Sequence, residues 1–174
     1  MCQALLFDMA VRGKNDQERQ ALTRYMIARN LDSVIQEKQM PSISEAIRSA
    51  LVDGQLPCAR AFVIVKRLGV EPIQVGDEAD ALGISLSKCQ LGLFGYGPKA
   101  EGKHRRVKAM QDVPPRLAEA IRAAAGPAGK MPCAEAWRIA RELHLSRQMV
   151  SNAAEGLGVR INPCQLGAFR SHDK

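Results

Sequence analysis

The tetrapeptide Cys-Gln-Leu-Gly stands at residues 89–92 and again at 164–167, and each copy closes one unit of a duplication. Set in register, residues 56–94 align with 131–169 at a constant offset of 75 and without a gap. Identities run along the whole unit, among them Pro57/Pro132, Cys58/Cys133, Ala61/Ala136, Ile64/Ile139, Leu68/Leu143, Val75/Val150, Ala79/Ala154, Gly83/Gly158 and Phe94/Phe169. Upstream, Glu45-Ala46-Ile47-Arg48 matches Glu119-Ala120-Ile121-Arg122 at an offset of 74, so the second copy has gained one residue in the intervening turn. Two copies of roughly 55 residues suit two small domains, because a solenoid needs about three repeats to bury its faces. The expected organisation is an N-terminal helical segment (1–40), a first repeat (41–98), a basic linker (99–113) and a second repeat (114–174).

Periodicity and punctuation give each repeat the same elements. Ser42-x-x-Glu45 reads as a capping box, Ile43, Ile47, Ala50 and Leu51 share one helical face, and Gly54 is placed to stop that helix. Its counterpart begins at Pro114-Pro115 and ends near Gly126. Pro57 and Pro132 suit the first position of a second helix, with Ala61, Ile64, Val65 and Leu68 or Ala136, Ile139, Ala140 and Leu143 on its apolar face. After a short turn, a third helix runs over about 72–82 or 147–157, and Gly83 or Gly158 ends it. Ile84-Ser85-Leu86 and Val159-Arg160-Ile161 then alternate with the two-residue period of a half-buried strand. The expected fold is mainly α, with two tandem units carrying short β-strands behind an N-terminal helix.

Helix, helix, turn, helix, strand is the order of a winged helix-turn-helix. The pattern Ala-x-x-Ile-Ala-x-x-Leu-x-Leu-Ser-x-x-x-Val that starts at Ala136 resembles the helix-turn-helix of bacterial transcription regulators. The resemblance covers about 24 residues per copy and implies that the second helix of the pair enters the major groove. The tandem unit ending in Cys-Gln-Leu-Gly is also similar to sequences loosely grouped as molybdate-responsive-type regulators of anaerobic bacteria, although nothing here resembles a molybdate-binding domain. What this implies is DNA-binding transcriptional regulation, with double-stranded DNA as partner. Two other readings stay open: a non-enzymatic protein-interaction module, and a thiol- or metal-sensing switch.

Charge agrees with a polyanionic partner. The chain carries +7 with a pI near 9.4, and Lys99–Lys108 (KAEGKHRRVK) alone holds five Lys or Arg against one Glu. The third helices differ sharply. Glu71–Asp80 carries four acids and no base, a poor surface for phosphates. In the second repeat Ser146 is an N-cap, and Arg147, Gln148, Ser151 and Asn152 are side chains that pair with base edges or phosphates. Val150, Ala154 and Leu157 form the expected buried stripe, which leaves those four for the outer faces. Phosphate contacts are expected from Lys103, Arg105, Arg106 and Lys108 in the linker and from Arg138, Arg141 and Arg160.

Cys58 and Cys89 are 31 residues apart, as are Cys133 and Cys164, so a strand entering the second helix would bring each pair together. A helix N-terminus lowers a thiol pKa, which would make Cys58 and Cys133 reactive, whereas burial would make all four inert packing groups. Two thiolates are half of an ordinary zinc site and no CxxC occurs, so no metal or other cofactor is expected. No Walker loop or consistent triad supports catalysis, and an aromatic share of 4% argues against base stacking. The N-terminus lacks a signal-like pattern and no apolar run approaches a membrane span, which places the expected protein in the cytoplasm, off the membrane. Asn15 would cap a helix over residues 16–38 that either packs on the first repeat or makes a homodimer.

Overall fold

A computed structural model describes residues 41–169, together with Gln17, Gln20 and Arg24, which are helical and exposed. The rest of the expected N-terminal helix, and any dimer contact it would make, lies outside the described residues. The chain divides into residues 1–40 and a compact unit, 41–174, that holds both repeats and the linker.

That unit is mainly helical. The first repeat contains α1 (Ile43–Ser49), β1 (Leu56–Pro57), α2 (Cys58–Leu68), α3 (Pro72–Ala81) and β2 (Leu86–Ser87). The second contains α4 (Pro115–Ala125), β3 (Lys130–Met131), α5 (Cys133–Glu142), α6 (Arg147–Gly156) and β4 (Arg160–Ile161). A single 3₁₀ turn, Lys99–Glu101, lies in the linker.

Local chemistry explains the helix ends. Ser42 Oγ accepts from the Glu45 amide at 3.2 Å, and the Glu45 carboxylate accepts from the Ser42 amide at 2.8 Å, which closes the capping box. The helix stops at Ser49, short of Gly54, which instead serves the turn bridged by Val52 and Gln55. Pro57 and Pro132 are extended N-caps, one residue ahead of the helical position expected for them. The turn between the second and third helices takes a left-handed residue in both repeats, Gly69 (φ 66°) and His144 (φ 54°).

In each repeat the strand before the second helix pairs in parallel with the strand after the third, Leu56 opposite Leu86 and Met131 opposite Ile161. A parallel pair needs a crossover, and here two helices supply it. The one antiparallel pairing among the described residues is the isolated Val52–Gln55 bridge, so neither β2 nor β4 belongs to a projecting hairpin.

The two cores are completed by exchange. Leu91, from the Cys-Gln-Leu-Gly of the first repeat, is buried with Leu117, Ile121, Ile139 and Val150 of the second. Leu166, from the second copy, is buried with Ile47, Leu56, Ile64 and Val75 of the first. Each insertion removes one leucine from water, which contributes about 2 kcal/mol. The tetrapeptide itself is a turn: the Cys carbonyl accepts from the Gly amide at 2.8 Å in one copy and 3.0 Å in the other, with φ at 77° and 76° on Gly92 and Gly167. Its Gln Nε2 faces the thiol at the start of its own repeat's second helix, Gln90 to Cys58 at 3.7 Å and Gln165 to Cys133 at 3.4 Å. Equivalent rings also meet each other, Phe62 with Trp137 at 4.4 Å between centroids and Phe94 with Phe169 at 5.4 Å. Counterpart rings touch each other and the leucine insertions recur with the partners swapped, which is the arrangement of an isologous dimer. The duplication has built that dimer within one chain.

Candidate nucleic-acid interface

The candidate interface is α6 with the basic segment that follows the first repeat. Ser146 caps the helix, its Oγ accepting from the Met149 amide at 3.1 Å. Beyond the cap, the side chains expected on outer faces are engaged inside the molecule. Arg147 lies with its guanidinium carbon 3.4 Å above the centre of the Trp137 ring and donates to the Gln90 amide oxygen; burial there lowers its pKa from the usual arginine value. Ser151 is buried and donates to the Leu91 carbonyl at 2.5 Å. Gln148 Nε2 donates to the Arg106 carbonyl at 3.1 Å, and Asn152 Oδ1 accepts from the Lys108 amide at 3.0 Å.

The linker is therefore a strap rather than a tether. From Arg105 to Met110 it runs along α6, where the Met110 amide also donates to the Asn152 carbonyl at 3.0 Å. Gly156 makes the approach possible, because a Cβ there would come within 2.1 Å of the Met110 carbonyl oxygen. Ser151 is thus corrected from an outer face to the interior, while Arg147, Gln148 and Asn152 are half-buried and bonded within the chain. Helical periodicity identified the stripe buried in the second repeat's own core, but the inserted Leu91 and the strap cover two further sides of the helix.

The cations survive this correction. Arg105, Arg106, Lys108 and Arg160 are exposed. Arg105 pairs with Glu155 at 2.9 Å, and Arg106 lies 4.3 Å over the Tyr96 ring. Arg105 and Arg160 line one cleft of about 540 Å³ between α6, β4 and Phe169, with Ser151 at its floor. Lys103 pairs with Glu101 at 2.8 Å. Arg138 is held by Glu135 at 2.7 Å and Glu142 at 2.6 Å, which raise its pKa further and occupy its charge locally. Arg141 is exposed.

The thiols are packing groups. Cys58, Cys89 and Cys133 are buried and Cys164 is half-buried, all four free. Burial pushes the Cys58 and Cys133 thiols up to about 11 and raises Cys89 as well. Of the two readings of Cys58 and Cys133, burial and the raised pKa favour the packing group over the reactive thiol. Among the described residues no group of three or more His, Cys, Asp or Glu is placed to hold a metal ion, and no helix is long and apolar enough to cross a membrane.

Sequence reasoning missed the contact between Phe62 and Trp137, whose signal was that they align at the 75-residue offset as two aromatic residues. No family model matches the chain, and neither a curated protein nor a solved structure matches it significantly.

Proposed function

We propose that the protein is a non-enzymatic, DNA-binding transcription regulator whose contact with the duplex is made by the strap over α6. The observation that carries this reading is the strap's fixed register. A hydrogen bond donated by Gln148 and one accepted by Asn152 hold its backbone on the helix while Arg105, Arg106 and Lys108 face solvent. Side chains held this way lose less freedom on meeting a phosphate chain than those of a flexible tail. Arg160, in the same cleft as Arg105, extends the positive surface. The repeated order of helix, strand, helix, turn, helix and strand supports treating each copy as a helix-turn-helix-like unit, although no antiparallel wing accompanies it among the described residues. Because Arg147, Gln148, Ser151 and Asn152 are spent on internal bonds, the contact is chiefly to backbone, and its sequence selectivity comes from duplex shape more than from base edges.

The test is duplex binding measured at several salt concentrations. We expect log K to fall linearly with log salt, and the variant Arg106→Ala/Lys108→Ala to reduce the slope by about 2, roughly 1 for each lost phosphate contact. A folded protein that ignores duplex DNA at low salt overturns the reading in favour of a protein-interaction module.

A further inference from the structure

The second helices, α2 and α5, present counterpart faces that have diverged. On α5 Arg138 is held between two carboxylates, Glu135 and Glu142. The positions 75 residues earlier are Arg60, Val63 and Arg67. Arg60 turns away to the carbonyls of Ala50 and Leu51 at the end of α1, at 3.0 and 3.2 Å. Val63 is 65% exposed, one of three large apolar side chains so exposed among the described residues. Lys66 and Arg67 are exposed beside it, with no acidic partner among the described residues.

Val63, Lys66 and Arg67 line a groove of about 490 Å³ that continues to Trp137 and Arg147 of the second repeat. Phe62, Val63, Lys66 and Arg67 follow helical i, i+1, i+4 and i+5 spacing, so the groove runs along the helix for more than one turn. Its walls are apolar at Phe62, Val63 and Trp137 and cationic at Lys66, Arg67 and Arg147, and no acidic side chain lines it. A phosphate chain would satisfy the cations but gain nothing from an exposed valine. A stacked base finds Trp137 already carrying Arg147 at 3.4 Å and Phe62 at 4.4 Å. A short helix with an apolar stripe flanked by carboxylates satisfies both kinds of wall.

We propose that this groove at the junction of the repeats is a docking site for an acidic amphipathic helix of a partner protein. The proposal concerns a different surface from the strap and does not depend on duplex binding.

Trp137 is the only tryptophan in the chain, so intrinsic fluorescence reports on the groove directly. The full-length protein is titrated with a peptide of about 15 residues bearing Leu at i, i+3, i+4 and i+7 and Glu elsewhere, a length at which isolated helices become marginally stable. The same peptide with Lys for Glu and a duplex DNA serve as comparisons, and calorimetry runs in parallel. We expect saturable binding of the acidic peptide alone, weakened at least tenfold by Lys66→Glu/Arg67→Glu and severalfold by Val63→Ser. All three positions are exposed, so thermal stability should stay unchanged. Absence of saturable binding, equal binding of the basic peptide, or indifference to the charge reversal overturns the proposal. A response to duplex and not to the acidic peptide also overturns it, by assigning the groove to nucleic acid.

Discussion

The third helices of the two repeats, α3 and α6, have the same length and the same place in their units, yet they receive the other repeat's arm in different ways. Against α3, Gly76 lets the backbone of Leu166 come so close that a Cβ would lie 1.9 Å from its carbonyl oxygen. Against α6, the equivalent residue is Ser151, whose hydroxyl donates to the Leu91 carbonyl at 2.5 Å. One junction is made by approach and the other by a hydrogen bond. Beyond that, the strap's hydrogen bonds reach α6 and none among the described residues reaches α3. The shared frame therefore consists of apolar, thiol and turn positions, while the copies have diverged where they face each other's arm and the surroundings.

The most direct way to break the comparison is to empty the exchanged positions. Leu91→Ala and Leu166→Ala should each cost about 3 kcal/mol in chemical denaturation, the usual cost of truncating a fully buried leucine. Hydrogen exchange locates the damage. Leu91→Ala should lower protection in α6 and Leu166→Ala in α3; loss of protection in the variant's own repeat instead would show that the arms are not exchanged. A smaller effect tests the two junctions themselves. Gly76→Ser, which copies the second repeat into the first, should destabilise by about 2 kcal/mol, because the added atoms meet a backbone carbonyl. Ser151→Ala should cost about 1 kcal/mol, mainly from leaving a buried carbonyl unpaired. If copying serine into position 76 is neutral, the close approach at Leu166 is wrong.

These variants also mark where the sequence was legible. The helices, their turns and the buried stripes at Ile47, Ala61, Ile64, Val150 and Ala154 follow from local periodicity and from residues such as Ser42 and Gly83, so they could be read directly. Cys-Gln-Leu-Gly was legible as the end of each repeat but not as an arm, since a leucine inserted into its own core and one inserted into its twin's core have the same local pattern. The face of α6 failed for the same reason. A 3.6-residue period reports one buried stripe, and Ser151 is buried by a segment 60 residues earlier. The strap cations were identified from charge alone, and their attachment to α6 left only one sequence trace, the glycine at position 156.

The thiols offer a point at which the two copies should behave alike. Cys58 and Cys133 both titrate near 11 in the folded protein, against 9.0 for an unperturbed thiol. The folded state holds these protons more tightly than the unfolded chain, so stability is unaffected below pH 9 and falls as pH rises from about 9 to 11. At pH 10 the loss is about 1 kcal/mol for each thiol. Cys58→Ala and Cys133→Ala should each remove a similar share of the alkaline loss in denaturant titrations at pH 8 and 10, with Cys89 supplying part of the remainder. A loss confined to one variant would mean that the copies differ here as well.

The smallest change in stability, and the sharpest test of divergence, comes from Glu155→Gln. The Arg105–Glu155 pair is a surface ion pair, with side chains 40% and 42% exposed, so its removal should alter stability by about 0.5 kcal/mol or less. The strap keeps its register through Gln148, Asn152 and Met110, and Arg105 loses the carboxylate that neutralised it. Duplex affinity should then rise and the salt slope steepen by about 1, since one more cation is available to a phosphate. Asp80 is the counterpart of Glu155 in the first repeat, so Asp80→Asn removes the same charge from the helix without the strap. If duplex contact belongs to the strap, Asp80→Asn leaves the slope where it was. If both variants steepen it equally, the protein responds to net charge, and the strap loses its claim to the duplex.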